Sequence, residues 1–483
     1  MAATTNETSL SRRCDRLKQN GKPRNAPVAL GLALLLLLSG GCGARKENVS
    51  SSAGEEAGRP AAFAEATASL IGPSVVAPGR LSAVSRRKLE TSDAPRSPGT
   101  ATTAPGLPSD EKAEEFRGIW LSYIELNALL KGKTAEQAGA ALDKVMEDAA
   151  SYGLNAVVFH VRAMSDAYYQ SALFPPAAAA KTLLESGFDP LTYAVKAAHA
   201  RGLQLHAWVN PYRIGVNKEN AGCGDIFGAS SGGAMYYYYN PASEDAQSLI
   251  LRGVEEIVEN YEVDGVQFDD YFYPNKPEVI PADAPADFEK EDYAAYIKAG
   301  GALGIGDWRR AQVDVLVSGV YQRVHARRGC VFGISPDYNA DKDYSSLYAD
   351  VKGWTAASGY IDYICPQIYF GFENSSAPFD RAVAAWTAYP RHSSVRLYVG
   401  LGLYKTGVSP DAYAGGGKEE WAGHSDIMKR SVELLRANNA VTGMVFYSYS
   451  SFDAATRSPA SGQTYREEIG RQEVENLLYL LRN

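Results

Sequence analysis

The residues best suited to chemistry lie in one stretch, Val263-Asp264-Gly265-Val266-Gln267-Phe268-Asp269-Asp270-Tyr271-Phe272-Tyr273-Pro274. A short apolar run ends in two adjacent carboxylates, followed by aromatics and a proline. Successive side chains of a strand point to opposite faces. If Gly265 to Phe268 is a strand, Gln267 and Asp269 share one face and Asp270 takes the other. Paired carboxylates supply general acid and base, or nucleophile and acid. An Asp-Asp pair also serves as a loop cap or turn. The rest of the chain decides between the two readings.

From Glu114 to about Asp453 a short β-rich run, a polar loop and a helix-periodic segment recur. The runs are 116–124, 156–162, 204–210, 265–268, 331–335, 361–369, 395–403 and 443–449. Between them the sequence predicts helices, for example over 134–152, where Thr134 and Gln137 form a capping-box pattern. Another is expected over 190–201, capped by Asp189 and stopped at Gly202, and a third over 243–261. Eight alternating units predict an α/β (β/α)8 TIM barrel. The barrel assignment covers 113–455, with 456–483 as a helical tail packed on it. The span is longer than the usual ~250 residues. The excess falls in loops after the second, third, fourth and sixth runs, so enlarged loops should surround the mouth. An open doubly wound sheet is the alternative, but no glycine-rich phosphate loop follows the first run.

Working residues of such a barrel sit at the C-terminal strand ends. Those ends supply Arg162 and Asp166; Trp208, Asn210, Tyr212 and Arg213; Gln267, Asp269, Asp270 and Tyr271; Asp337; Gln367 and Tyr369; and Tyr447. Carboxylates, amides, guanidiniums and aromatic faces suit a polyhydroxylated ligand. Glycoside hydrolysis generally places two carboxyls about the scissile bond. Asp269 is the candidate nucleophile or base. Asp270 orients a partner or binds hydroxyls. Asp337 leads Glu373 and Asp166 as candidate acid, because it follows the fifth run directly. His160 and His206 are expected as hydrogen-bonded core histidines rather than metal ligands, and no metal or cofactor is predicted. The run Tyr236 to Tyr239 reads equally as a sugar-stacking platform or a packed loop.

Composition narrows the partners. A formal charge of −8 gives no basic patch for nucleic acid. Thirty tyrosines and six tryptophans fit a sugar-binding surface as well as a core. Five scattered cysteines show neither metal spacing nor a disulfide framework.

The N-terminal region reads as an address. Basic residues over 12–24 precede the apolar run Val28 to Leu38, which is too short to span a bilayer but suits a signal peptide. Leu38-Ser39-Gly40-Gly41-Cys42 then resembles a bacterial lipoprotein signal, with Ser39 departing from the usual aliphatic residue. Residues 1–42 are therefore expected to be a signal peptide with Cys42 lipidated, and 43–112 a disordered tether. This places the barrel at the cell envelope, outside the cytoplasm, anchored to the membrane by lipid alone.

Several long motifs occur in order: F-R-G-I-W (116–120), V-F-H-V-R (158–162), D-A-Y-Y (166–169), F-D-P-L (188–191), H-A-W-V-N-P-Y-R (206–213), V-D-G-V-Q-F-D-D-Y-F-Y-P (263–274), F-G-I-S-P (332–336) and I-D-Y-I-C-P-Q-I-Y (361–369). Together they resemble the glycosyl-hydrolase-like 10 family of bacterial envelope proteins. The resemblance implies a glycosidase-like barrel, one branch of which acts on peptidoglycan strands stripped of their peptides. It also implies remoter similarity to α-amylase-type and α-galactosidase-type barrels, whose nucleophilic Asp ends the fourth strand, as Asp269 does. An acid after G-I-S-P is a departure from the family, as is the loop Gly215 to Tyr239. The expected function is a glycoside hydrolase acting on a cell-wall polysaccharide. The alternatives are a non-catalytic carbohydrate-binding lipoprotein on the same scaffold and a metal-dependent barrel hydrolase.

Overall fold

The computed structural model describes residues 114–222 and 224–483. Cys14, Cys42 and Cys223, the signal peptide and the tether all lie outside the described residues. Among those described, eight parallel strands close into a barrel in simple sequential order. They are β1 (Phe116–Leu121), β2 (Ala156–Arg162), β3 (Gln204–Val209), β4 (Gly265–Phe268), β5 (Val331–Ile334), β6 (Tyr363–Ile364), β7 (Arg396–Leu401) and β8 (Gly443–Tyr447). The ring shuts where Trp120 of β1 pairs with Tyr447 of β8.

A helix follows each strand: α1 (Ala135–Ser151), α2 (Pro190–His199), α3 (Glu244–Asn260), α4 (Ile305–Ala326), α5 (Val351–Ala356), α6 (Phe379–Ala388), α7 (Ile427–Ala437) and α8 (Glu467–Arg482). Local sequence fixes several ends. Thr134 and Gln137 cap α1 reciprocally, and both Leu191 and Thr192 amides donate to the Asp189 carboxylate at the start of α2. Helix α3 buries Leu249, Ile250, Val254, Ile257 and Val258 along one stripe. The C-terminal segment supplies α8, which packs Val474, Leu477 and Leu481 inward. It is pinned to α7 by Arg436 donating to the Leu480 carbonyl, and to α1 by Arg482 donating to the Ser151 carbonyl.

The barrel interior is filled by aromatics set against glycines. Phe116, Trp120, Trp208, Tyr363 and Tyr398 occupy it with Ala156, Val158 and Val445. Phe116 stacks on Tyr398 with centroids 4.4 Å apart. A Cβ at Gly333 would come within 2.1 Å of the Tyr363 ring, and one at Gly265 within 2.6 Å of His206. Glycine at these positions lets large rings cross the interior. Strand β6 is shorter than the sequence suggests: Pro366 has no N–H to give the ladder. The chain rejoins its neighbours through isolated bridges from Gln367 to Asp337 and Gly400.

Loops at the C-terminal strand ends are long. The one after β3 forms a three-stranded antiparallel sheet from Arg213–Gly215, Ala234–Tyr239 and Ile226–Ser231. Within it, Tyr238 and Tyr239 are buried, and Tyr239 shares a hydrogen bond with Ser165. Tyr238 and Tyr239 are therefore packed within the loop, while Tyr236 and Tyr237 are half-buried and Tyr236 faces the Arg213 guanidinium.

Candidate active site

The polypeptide leaves β4 at Phe268, so strict alternation stops there. Gln267 still points inside the barrel, where its carbonyl faces the Tyr363 hydroxyl at 3.4 Å. Above it, Asp269 and Asp270 both line a cavity of about 390 Å³. Asp270, expected on the opposite face, thus joins Asp269 in the mouth. The wall also includes Trp120, Tyr123, Glu125, His160, Trp208, Asn210, Arg213, Tyr271, Gln367, Tyr369, Tyr404 and Tyr447. A larger cleft of about 590 Å³ lies between the C-terminal turns of α3 and α4. That is the opposite end of the barrel, where such folds carry stability rather than catalysis.

Asp269 is only 7% exposed. One of its oxygens accepts the Asp270 backbone N–H at 2.8 Å and the Gln367 amide at 2.9 Å. Burial pushes its pKa up, while those donors, the Asp270 carboxyl and the Arg213 charge oppose the rise. Asp270 has no such relief. Burial, the Asp269 charge and the hydrogen bond between the two carboxyls hold its pKa well above the usual range, helped by Asp337 and Asp343. Of the two, Asp270 is therefore the member that holds a proton more firmly, and Asp269 the one its surroundings favour as the anion. Environments that split a carboxyl pair in this way assign acid and base roles.

The remaining predicted residues divide clearly. Trp208, Asn210, Arg213, Tyr271, Gln367, Tyr369 and Tyr447 converge on the cavity. Gln267 sits one layer beneath it. Arg162 does not reach it. The β2–β3 register shifts between His160 and Arg162, and this bulge turns Arg162 outward onto Phe174, 4.2 Å from its ring, against α3 at Gly253. Tyr212 is buried in the outer core between strands and helices. Asp337 is absent from the cavity wall: Lys342 holds one of its oxygens at 2.6 Å, and the Asn339 N–H donates to the other. Asp166 is likewise off the wall, with burial raising its pKa to about 6. Glu373 pairs with His424 in an outer loop.

The sequence reading missed the contribution of the β1 loop. Glu125 accepts hydrogen bonds from the Ser122 N–H, the Ser448 hydroxyl and the Ser450 N–H, each at 2.7 Å. It ties the β1 and β8 ends together at the cavity edge. The signal was present: Ser122 and Glu125 have capping-box spacing. His160 stacks on Trp208 with centroids 3.6 Å apart. Burial, with Arg213 nearby, keeps it neutral. Trp120, Tyr369 and Tyr404 surround Tyr447 at centroid distances of 5.8–6.1 Å, an aromatic wall suited to a sugar face. Among the described residues no group of three or more His, Cys, Asp or Glu side chains is placed to hold a metal ion.

The family model for glycosyl hydrolase-like 10 matches residues 115–413. The chain belongs to that family. It is 30% identical over 376 residues to glycosyl hydrolase YngK of Bacillus subtilis, covering 72% of this chain and 70% of that one. It is 28% identical over 396 residues to glycosyl hydrolase DigH of Escherichia coli K12, covering 72% and 86%. The glycoside hydrolase domain of PgaB (BpsB) from Bordetella bronchiseptica is similar at 14% identity with a TM-score of 0.45, covering 69% of this chain and 93% of that domain. As a member of the glycosyl hydrolase-like 10 family, the protein is a glycosidase on a (β/α)8 barrel, and its substrate class is a polysaccharide.

Proposed function

We propose that the protein hydrolyses glycan strands of the bacterial cell wall, with Asp270 as general acid and Asp269 as its charged partner. The supporting observation is two adjacent, coupled carboxyls lining one cavity beneath an aromatic wall, with Asp270 holding its proton the more firmly. Carboxyls that flank a glycosidic bond lie about 5–5.5 Å apart in retaining enzymes and about 6.5–9.5 Å in inverting ones. Two that share a hydrogen bond lie on one side of the sugar instead. Asp270 then protonates the departing oxygen. The attacking group is then the 2-acetamido oxygen of an N-acetylated ring, whose N–H Asp269 polarises; water opens the cyclic intermediate, giving its proton to the Asp270 carboxylate and its oxygen to the new reducing end. Asp337, held by Lys342, does not line the cavity and acts on Asp270 only through its charge. The wall-strand substrate is supported by the relationship to glycosyl hydrolases of bacterial origin and by the lipoprotein-like sequence at Cys42, through which the barrel would be anchored outside the cytoplasm. Incubation with peptide-free glycan strands should release new reducing ends, and Asp269→Asn should slow that release by about 100-fold or more. Undiminished release by a folded Asp269→Asn variant rejects the assignment.

A further inference from the structure

Arg213 is a buried cation that, among the described residues, touches no carboxylate, the Asp269 charge reaching it only at longer range. Its residue is 4% exposed and lines the catalytic cavity. Its guanidinium lies between two aromatic faces, 4.6 Å from the Tyr271 ring and 5.5 Å from Tyr236. Its Nε has no hydrogen-bond partner, and among the described residues no carboxylate pairs with it. Asp269, the nearby acid of the pair, accepts from Asp270 and Gln367 instead. His160, on the same wall, is neutral.

Of the other buried arginines, Arg309 is saturated by Glu289, the Pro281 and Ala284 carbonyls and the Tyr348 hydroxyl. Arg162 leaves both Nη atoms without a hydrogen bond but lies outside the cavity, facing α3. Burying a charge without a partner is costly, and stacking on two tyrosines offsets part of that cost. An anion entering the cavity would offset the remainder. A guanidinium fork matches a carboxylate through two parallel N–H···O bonds.

We propose that Arg213 forms a subsite for a carboxylate carried by the sugar substrate itself, beside the bond that Asp270 protonates. This rests on the glycosidase reading of the site and narrows its substrate to an acidic glycan. In a wall strand that group is the lactyl carboxylate of the muramyl unit. It is free only after the peptide is removed, because the peptide linkage converts it to a neutral amide. A uronic acid offers the same chemistry from another source.

The test uses the folded enzyme and three probes: peptide-free glycan strands, the same strands with their carboxylates converted to methylamides, and polyglucuronate. Cleavage is followed by reducing ends. Binding is followed by calorimetry in the Asp269→Asn background, so that it does not depend on turnover. Amidation should lower wild-type kcat/KM and affinity by about 30-fold, the worth of a charged hydrogen-bond pair. Arg213→Gln should lose that factor on native strands and lose nothing further on amidated ones, and Arg213→Lys should retain part of it. Polyglucuronate bound in place of muramyl strands, through Arg213, supports the subsite and assigns the uronate source. Equal wild-type behaviour on native and amidated strands, with no Arg213-dependent binding of polyglucuronate, overturns the proposal. So does an Arg213→Gln loss that is the same on both strands. Should Arg213→Gln fail to fold, the wild-type comparison decides alone. Charge-selective binding without cleavage would refute hydrolysis and leave the subsite standing; cleavage without charge preference would do the reverse.

Discussion

Gln367 offers a sharp test of the carboxyl pair, because it touches one member only. Its amide donates to Asp269 at 2.9 Å and to the Ser335 carbonyl at 3.1 Å, and has no bond to Asp270. A hydrogen bond to a charged group is worth about 1.5–3 kcal/mol. At about 1.36 kcal/mol per pKa unit, its loss in Gln367→Leu should raise the Asp269 pKa by about 1–2 units. The sign follows from the role. Asp269 works as the anion, so activity falls as pH drops through its pKa, and a higher pKa moves that fall to higher pH. The acidic limb of kcat/KM against pH on peptide-free strands should therefore shift upward by about 1–2 units. The pair titrates as a unit, so the limb reports its first macroscopic step. An acidic limb that stays in place, or moves to lower pH, in a variant with a normal melting curve would refute the reasoning.

Asp270→Asn should lose about 100- to 10,000-fold on glycan strands, yet keep most of its rate on an aryl glycoside whose phenolate leaves without a proton. Equal losses on both substrates would remove Asp270 from the acid role. Asp337→Asn should leave kcat/KM within a few-fold of wild type. Its partly buried pair with Lys342 should show instead as a stability loss of about 1 kcal/mol in denaturant titration. Glu289→Ala strands the fully buried Arg309 and should destabilise the fold by about 3–5 kcal/mol, read as a lower urea midpoint.

The barrel was legible because each strand is a short apolar run closed by polar residues, and the helices between them carry their own caps. Strand ends were legible where alternation persists: Trp208 and Gln267 fall inside as parity requires. Alternation fails where the backbone departs from a regular strand. At Arg162 one bulge reverses the side chain, and no residue in V-F-H-V-R announces it. At Asp270 the strand has already ended, so parity misplaces the residue that the geometry now favours as acid. Asp337 looked catalytic by position, but its neighbour in space, Lys342, lies five residues on in a short helix and could equally have been solvent-facing. Glu125 went unnoticed because its partners, Ser448 and Ser450, are more than 300 residues away in sequence. The unpaired state of Arg213 is a property of the assembled wall and has no trace in the local sequence.

The central claim is that the pair at 269 and 270 splits a glycosidic bond with water. Digestion of peptide-free glycan strands in heavy-oxygen water, followed by mass spectrometry of the fragments, tests it most directly. The account predicts one heavy oxygen at each new reducing end with the wild type, and intact strands with the double variant Asp269→Asn, Asp270→Asn. Anhydro ends without heavy oxygen, or equal fragmentation by the double variant, would contradict it.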